Sequence, residues 1–215
     1  MSNKNYVIAI DGPAGAGKST IAKQLADVLN FTFVNSGGLY RCLAIALKNI
    51  SLENTEDVEA IINSSKIIQE KNSFFLNDLD VTTECYSKEI AGLVPFIAKI
   101  PCVGKKIIDI RREIAKTASI VVEGRETTSV VFPDANLKVY LDASVQVRAQ
   151  RRWEELNKVV PFDEVEKNVI LRDKMDTERK INPLIRVPDA FYLLTDGFSV
   201  DEIINILIEE FNSIK

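Results

Sequence analysis

Short, uninterrupted apolar runs alternate with stretches of helical periodicity along most of the chain. Tyr6 to Ile10 is such a run and ends at Asp11-Gly12-Pro13, the pattern of a strand buried on both faces of a parallel sheet. Ser19 to Leu29 carries Ile21, Leu25, Val28 and Leu29 at helical spacing, with Asn30 as its stop. Phe31 to Val34 predicts a second strand and Asn35 to Gly38 a turn. Leu39 to Lys48 predicts a helix with Leu39, Cys42, Leu43, Ala46 and Leu47 inward.

The texture changes between about Ser51 and Thr117. A polar helix over Glu56 to Ser64 leads into short strands at Lys66 to Gln69, Ser73 to Leu76 and Leu79 to Thr82, with turns at Lys71-Asn72 and Asn77-Asp78. Two further helical stretches flank Pro101. Alternation then resumes: Ser119 to Val122 and Leu137 to Leu141 read as buried strands, and Ser144 to Asn157 as a charged helix. A helix from Pro161 to about Arg179, a last strand at Phe191 to Leu194 and a last amphipathic helix at Val200 to Phe211 follow. Buried strands alternating with helices predict a doubly wound α/β domain, interrupted by an α+β insertion packed on it.

Composition narrows the chemistry. The 215 residues contain no histidine, which removes Ser-His and Cys-His nucleophile pairs and the imidazole ligands of zinc and iron sites. No apolar run approaches the roughly 18 residues needed to span a bilayer, and a net charge of −4 lacks the basic excess of a duplex-binding module. No nucleic-acid or membrane partner is therefore expected. Cys42, Cys85 and Cys102 are odd in number and form no C-x-x-C pair. Together with a polar start and no leader-like apolar run, this predicts buried thiols in a cytoplasmic protein. One arginine, Arg41, stands early, and the other nine lie between Arg111 and Arg186, whereas lysines are spread along the chain. Arginine's planar fork suits bidentate phosphate contacts, so that half of the chain points to anion recognition.

Gly12-Pro13-Ala14-Gly15-Ala16-Gly17-Lys18-Ser19 matches G-x-x-x-x-G-K-[ST] between a buried strand and a helix, the setting of a P-loop. Its backbone N–H groups, with those of the first helical turn including Thr20, would cradle the phosphates of ATP. Lys18 would reach the β/γ oxygens, and Ser19 would ligate Mg²⁺. Glu123, at the C-terminal end of the strand Ser119 to Val122, is the candidate second member of the metal shell, acting through water, and Arg125 and Glu126 follow it. Arg148, Arg151 and Arg152 share one helix, with Arg148 and Arg152 four apart. Arg172, Asp176 and Arg179 share a face of another at i, i+4 and i+7. The alternative for these arginines is a solvated surface on which they pair with Glu154, Glu155, Asp173 and Glu178.

On I-D-G-P-A-G-A-G-K-S-T (Ile10 to Thr20), N-S-G-G-L-Y-R (Asn35 to Arg41), D-V-T (Asp80 to Thr82), E-G-R-E-T-T-S-V-V-F-P-D-A (Glu123 to Ala135), R-A-Q-R-R (Arg148 to Arg152), R-D-K-M-D-T-E-R (Arg172 to Arg179) and T-D-G-F-S from Thr195, the chain resembles the bacterial cytidylate kinases, P-loop nucleoside monophosphate kinases. The resemblance runs over essentially the whole chain. It implies a five-stranded parallel sheet flanked by helices as the core (1–36, 118–147 and 180–215), a monophosphate-binding insertion over about 37–117 and a helical lid over about 148–179. It implies a monomer that transfers the γ-phosphoryl group of ATP to CMP or dCMP with Mg²⁺. Lys18, Arg125, Arg152, Arg172 and Arg179 would then be catalytic, with Arg148 and Arg152 on the ATP side. Ser36, Tyr40, Arg41, Arg112, Arg125, Glu126, Arg172, Asp176 and Arg179 would take the acceptor. A phosphate oxygen is already largely ionised at neutral pH, so such a reaction needs no general base and tolerates the missing histidine.

The chain departs from the family pattern at Glu123 and Glu126, where aspartate is usual, at Pro95 in place of a serine that helps read cytosine, and at Gly104 in place of an arginine. The lid between Asn157 and Phe162 is a few residues short. Two alternatives stand beside the leading reading: a P-loop kinase for another nucleotide or small metabolite, and a nucleotide-binding protein that has lost transfer.

Overall fold

The computed structural model describes residues 5–214. The first apolar run forms β1 (Val7–Asp11), with Ile8, Ala9 and Ile10 fully buried. It is the middle strand of a five-stranded sheet that also contains β2 (Thr32–Asn35), β6 (Ile120–Glu123), β7 (Leu137–Asp142) and β8 (Phe191–Leu194), in the order β2-β6-β1-β7-β8. β1 is parallel to both neighbours, with Ile10 opposite Glu123 on one side and Val139 on the other, and β8 runs parallel to β7. Parallel strands need crossovers, and those crossovers account for the helices that flank the sheet.

The chain divides into two compact units. One takes the chain up to Phe33 and again from Thr117, and the other runs Val34–Lys116. In the first, α1 (Lys18–Leu29) and α9 (Val200–Ser213) set Ile21, Leu25, Ile203, Leu207 and Phe211 against Ile8, Ile10, Val121, Val139 and Leu141 of the sheet. Asn30 ends α1 in the left-handed conformation (φ 54°), and Ser199 with Glu202 forms a reciprocal cap at the start of α9. α7 (Val145–Glu155) and α8 (Phe162–Glu178) pack on each other. Their connection is closed by Trp153, which meets Phe162 edge-on at 5.8 Å and donates from Nε1 to the Val160 carbonyl at 2.7 Å.

The second unit holds α2 (Ser36–Leu47), α3 (Thr55–Ser64), an antiparallel sheet of β3 (Ile67–Glu70), β4 (Ser73–Leu76) and β5 (Leu79–Asp80), then α4 (Thr82–Cys85), α5 (Lys88–Ile97) and α6 (Pro101–Thr117). Two local expectations need correction. Asn35 to Gly38 is not a separate turn, because the Asn35 side chain accepts the Gly38 N–H at 2.9 Å and caps a helix that starts at Ser36. The third strand stops at Asp80, whose carboxylate accepts the Thr82 N–H at 2.8 Å and turns the chain into α4. Pro101 opens α6, a position where its missing N–H costs nothing. Cys42 and Cys85 are buried free thiols with sulfurs 3.8 Å apart, and Cys102 is half-buried. Among the described residues no helix is long and apolar enough to cross a membrane.

Gly38 lets α2 lie directly on β4: a Cβ there would stand 2.0 Å from the Phe74 ring. Gly38→Ala is therefore expected to cost about 1–3 kcal/mol through overpacking, read as a lowered denaturant midpoint. An unchanged midpoint would show that Phe74 gives way freely.

Candidate active site

β1 ends at Asp11, and the phosphate loop occupies the six residues before α1. Gly17 takes φ 87°, a left-handed conformation that turns the chain into the helix without strain only for glycine. No side chain caps α1, so the N–H groups of its first turn are available to an anion. Lys18 is 5% exposed, and its ammonium donates to the Pro13 carbonyl at 2.6 Å, lying across its own loop. Burial, then the nearby Arg125 guanidinium, pushes Lys18 down to about 7, while Glu123, Asp11 and Asp176 pull the other way. Ser19 is exposed and Glu123, at the end of β6, is buried.

Two further arginines of this unit are held by carboxylates. Arg125 and Glu126 are neighbours on the loop after β6, and Asp176 and Arg179 lie three apart at the end of α8. Arg125 Nε donates to Asp176 at 2.7 Å, and Arg179 donates to the buried Glu126 at 2.8 Å, so loop and helix are joined by two ion pairs of opposite polarity. Burial opposes the charge on Arg125, but Asp176, Glu123 and Asp11 outweigh it and the guanidinium is held above its ordinary value. Arg172, half-buried, stands one turn before Asp176 on α8.

On α7, Arg148 is buried. It donates to the Ala14 carbonyl at 3.1 Å and to Asp173 at 2.6 Å, and Asp173 also accepts the Ala14 N–H at 3.4 Å. Its partner at the loop is Arg151, which donates to the Ala16 carbonyl at 3.4 Å and the Thr195 hydroxyl at 3.2 Å. Arg152 is exposed and paired with Glu155 at 2.7 Å. Residues three and four apart on a helix diverge to opposite sides of the first by about 60° and 40°, and the phosphate loop lies on the Arg151 side. Arg152 is thus not brought to the loop, and for this residue the surface-pair alternative describes the geometry.

Asp11 was legible only as the polar end of a strand. It is fully buried, and its carboxylate accepts the Thr127 N–H at 2.9 Å, the Thr128 N–H at 2.6 Å and the Thr128 hydroxyl at 2.7 Å. Burial pushes its carboxyl up, against these hydrogen bonds, and Glu126 adds to the rise. The Thr127–Val131 segment it holds is a single π turn, in which Val131 N–H reaches back to the Glu126 carbonyl at 3.1 Å.

In the second unit, Ser36 is buried and its hydroxyl accepts from Arg111 at 3.1 Å. Arg111 is fully buried, whereas Arg112, the expected base-reading arginine, is exposed. The helical pattern of α6 offers both positions, and the structure turns the first of them inward. Arg41 lies 5.3 Å from the centre of the Tyr86 ring, and Tyr40 is half-buried beside it in sequence. Pro95 lies within α5 and Gly104 within α6, and no atom stands within 4 Å of where a Gly104 side chain would begin.

The family model described as cytidylate kinase matches residues 8–213. The chain belongs to the cytidylate kinase family. It is 42% identical over 210 residues to a cytidylate kinase of Alkaliphilus metalliredigens, covering 95% of this chain and 96% of that one. It is 35% identical over 216 residues to the cytidylate kinase of Fusobacterium nucleatum subsp. nucleatum, covering 98% and 99%. At the level of fold alone it is similar to a shikimate kinase from Bacteroides thetaiotaomicron (TM-score 0.51, 15% identity, covering 96% and 98%). That likeness is one of strand and helix arrangement, and the two cytidylate kinases are matched over nearly their whole length.

A lysine poised near pH 7 should take up a proton when phosphates arrive, because negative charge restores its ordinary value. Binding of a nucleoside triphosphate is expected to strengthen as pH falls from 9 to about 7 and to level off below. At pH 8, calorimetry in buffers of different ionisation enthalpy should show uptake approaching about one proton, which Lys18→Met removes. Equal proton uptake by the variant would contradict the assignment.

Proposed function

We propose that the chain transfers the γ-phosphoryl group of ATP to CMP or dCMP, giving ADP and the nucleoside diphosphate. The observation that carries the reading is the set of cations on the phosphate loop and on the loop after β6, with Lys18, Arg148 and Arg151 bonded to the first and Arg125 and Arg179 paired at the second, the four arginines held ready by hydrogen bonds rather than dispersed on the surface. A nucleotide-binding protein without transfer needs the loop but has no use for the crossed Arg125–Asp176 and Arg179–Glu126 pairs beyond it. Phosphoryl transfer spreads negative charge between donor and acceptor, and preorganised cations are the main means of stabilising it.

In this reading the loop amides and Lys18 bind the β- and γ-phosphates, and Arg148 and Arg151 close on the donor side. Arg125, Arg172 and Arg179 stabilise the transferring phosphoryl group. Asp176 and Glu126 hold the two arginines they pair with until phosphate oxygens compete for them. Ser36, Tyr40 and Arg41 serve the acceptor, with Arg111, buried against Ser36, in the role first expected of Arg112. The helices α7 and α8 act as the lid. The acceptor's own phosphate oxygen is the nucleophile, so no proton has to be removed by the protein.

Ser19 and Glu123 suit Mg²⁺, a hard cation that takes oxygen donors and keeps several waters. When bound, Mg²⁺ would supply positive charge that offsets the negative charge of the phosphates.

A coupled assay with ATP over CMP, dCMP, UMP, AMP and GMP is expected to show turnover with the cytidine nucleotides. A folded protein that binds ATP and turns over none of them would sink the reading. Lys18→Ala should lower kcat by roughly 10²-fold or more with the fold intact. Arg151→Ala should cost more activity than Arg152→Ala, and equal losses would put both arginines at the donor.

A further inference from the structure

We propose that Asp11 is a positioning residue for phosphoryl transfer: by holding the first two residues of the π turn, its carboxylate fixes where Arg125 and Glu126 stand relative to the phosphate loop. The inference rests on the kinase reading above and goes beyond it to a residue that touches no substrate. Asp11 is the last residue of β1 and is bonded directly to Gly12, so it cannot move without moving the loop. The ladder between β1 and β6 closes with the Gly124 N–H on the Ile10 carbonyl at 2.9 Å. The next anchor is the Thr127 N–H on Asp11 at 2.9 Å. Arg125 and Glu126 are therefore a two-residue span bracketed by consecutive residues of β1. The two ion pairs to α8 start from that span.

A neutral side chain could not replace this anchor. Three donors converge on one carboxylate, and an asparagine in its place would turn an NH₂ toward one of the two N–H groups. Two buried backbone donors in an interior turn need acceptors. The π turn also keeps its shape although the Thr127 and Ser129 hydroxyls are buried without a hydrogen-bond partner. A turn that leaves hydroxyls unsatisfied is held by something stronger than its own preference, and Asp11 is the group that holds it.

The test uses the full chain with ATP and CMP. Thr128→Val deletes one of the three hydrogen bonds in a side chain of similar shape, and is expected to lower kcat about tenfold while both KM values stay within about twofold. Thr128→Ser restores the hydroxyl and should recover kcat to within about twofold. Asp11→Asn should lower kcat at least as far as Thr128→Val. Because the effect is routed through Arg125, the loss from Thr128→Val should largely vanish when Arg125 is already lysine. Wild-type kcat in Thr128→Val, failure of Thr128→Ser to recover activity, or losses that simply add in the Arg125→Lys background would each overturn the proposal. If Asp11→Asn does not fold, the Thr128 pair decides. A wild-type protein inactive with cytidine nucleotides would overturn the functional reading instead.

Discussion

Five cationic groups gathered at one end of a sheet repel one another, and a site that concentrates them must stay folded before any phosphate arrives. The structure meets this constraint with carboxylates for four of the five, and with the Ala16 carbonyl and Thr195 for Arg151. Asp176 holds Arg125, Glu126 holds Arg179, Asp173 holds Arg148, and Lys18 is buried within the field of Glu123, Asp11 and Asp176. Buried ion pairs are a poor source of stability, because desolvation offsets most of the attraction. In the proposed reading their use is placement: each arginine would already be oriented when substrate oxygens displace its partner. The arginines and the acids that hold them cancel in the sum, so the overall charge of −4 gives no sign of the cations gathered here.

The fold supplies the place where such a balance can be struck. β1 sits between β6 and β7 in space although they follow it by more than a hundred residues, so the C-terminal ends of strands from distant parts of the chain meet at one edge. Open α/β sheets bind ligands where the strand order reverses, because the loops on either side diverge and leave a crevice. Here the C-terminal ends of the strands lead into the phosphate loop after β1, Glu123 and the Arg125–Glu126 span at β6, and the start of α7 after β7. The missing histidine follows from the same chemistry, since a phosphate nucleophile needs orientation and charge rather than a base.

Much of this was legible in the residues. Short apolar runs marked the strands to within one or two positions. The P-loop was specific because of its strand and helix context, and the i, i+4 spacing put Arg172 and Asp176 on one side of α8, whereas Arg179 lies just past the end of that helix in an extended conformation. What was not legible falls into two kinds. Helical spacing says which residues share a face but not which face turns inward, so Arg151 and Arg111 were passed over for their neighbours Arg152 and Arg112. The Asp11 anchor spans 116 residues of sequence and uses backbone donors, and neither feature leaves a trace in a pattern of side chains. The π turn has no sequence signature at all.

The central claim, that the carboxylate-held cations serve transfer between two nucleotides, is tested most directly by following the terminal phosphate of ATP. With γ-labelled ATP, CMP and Mg²⁺ in a single turnover, the account predicts that the label appears in the β-phosphate of CDP as fast as ATP disappears. Label appearing instead as inorganic phosphate, at a rate indifferent to CMP, would contradict it.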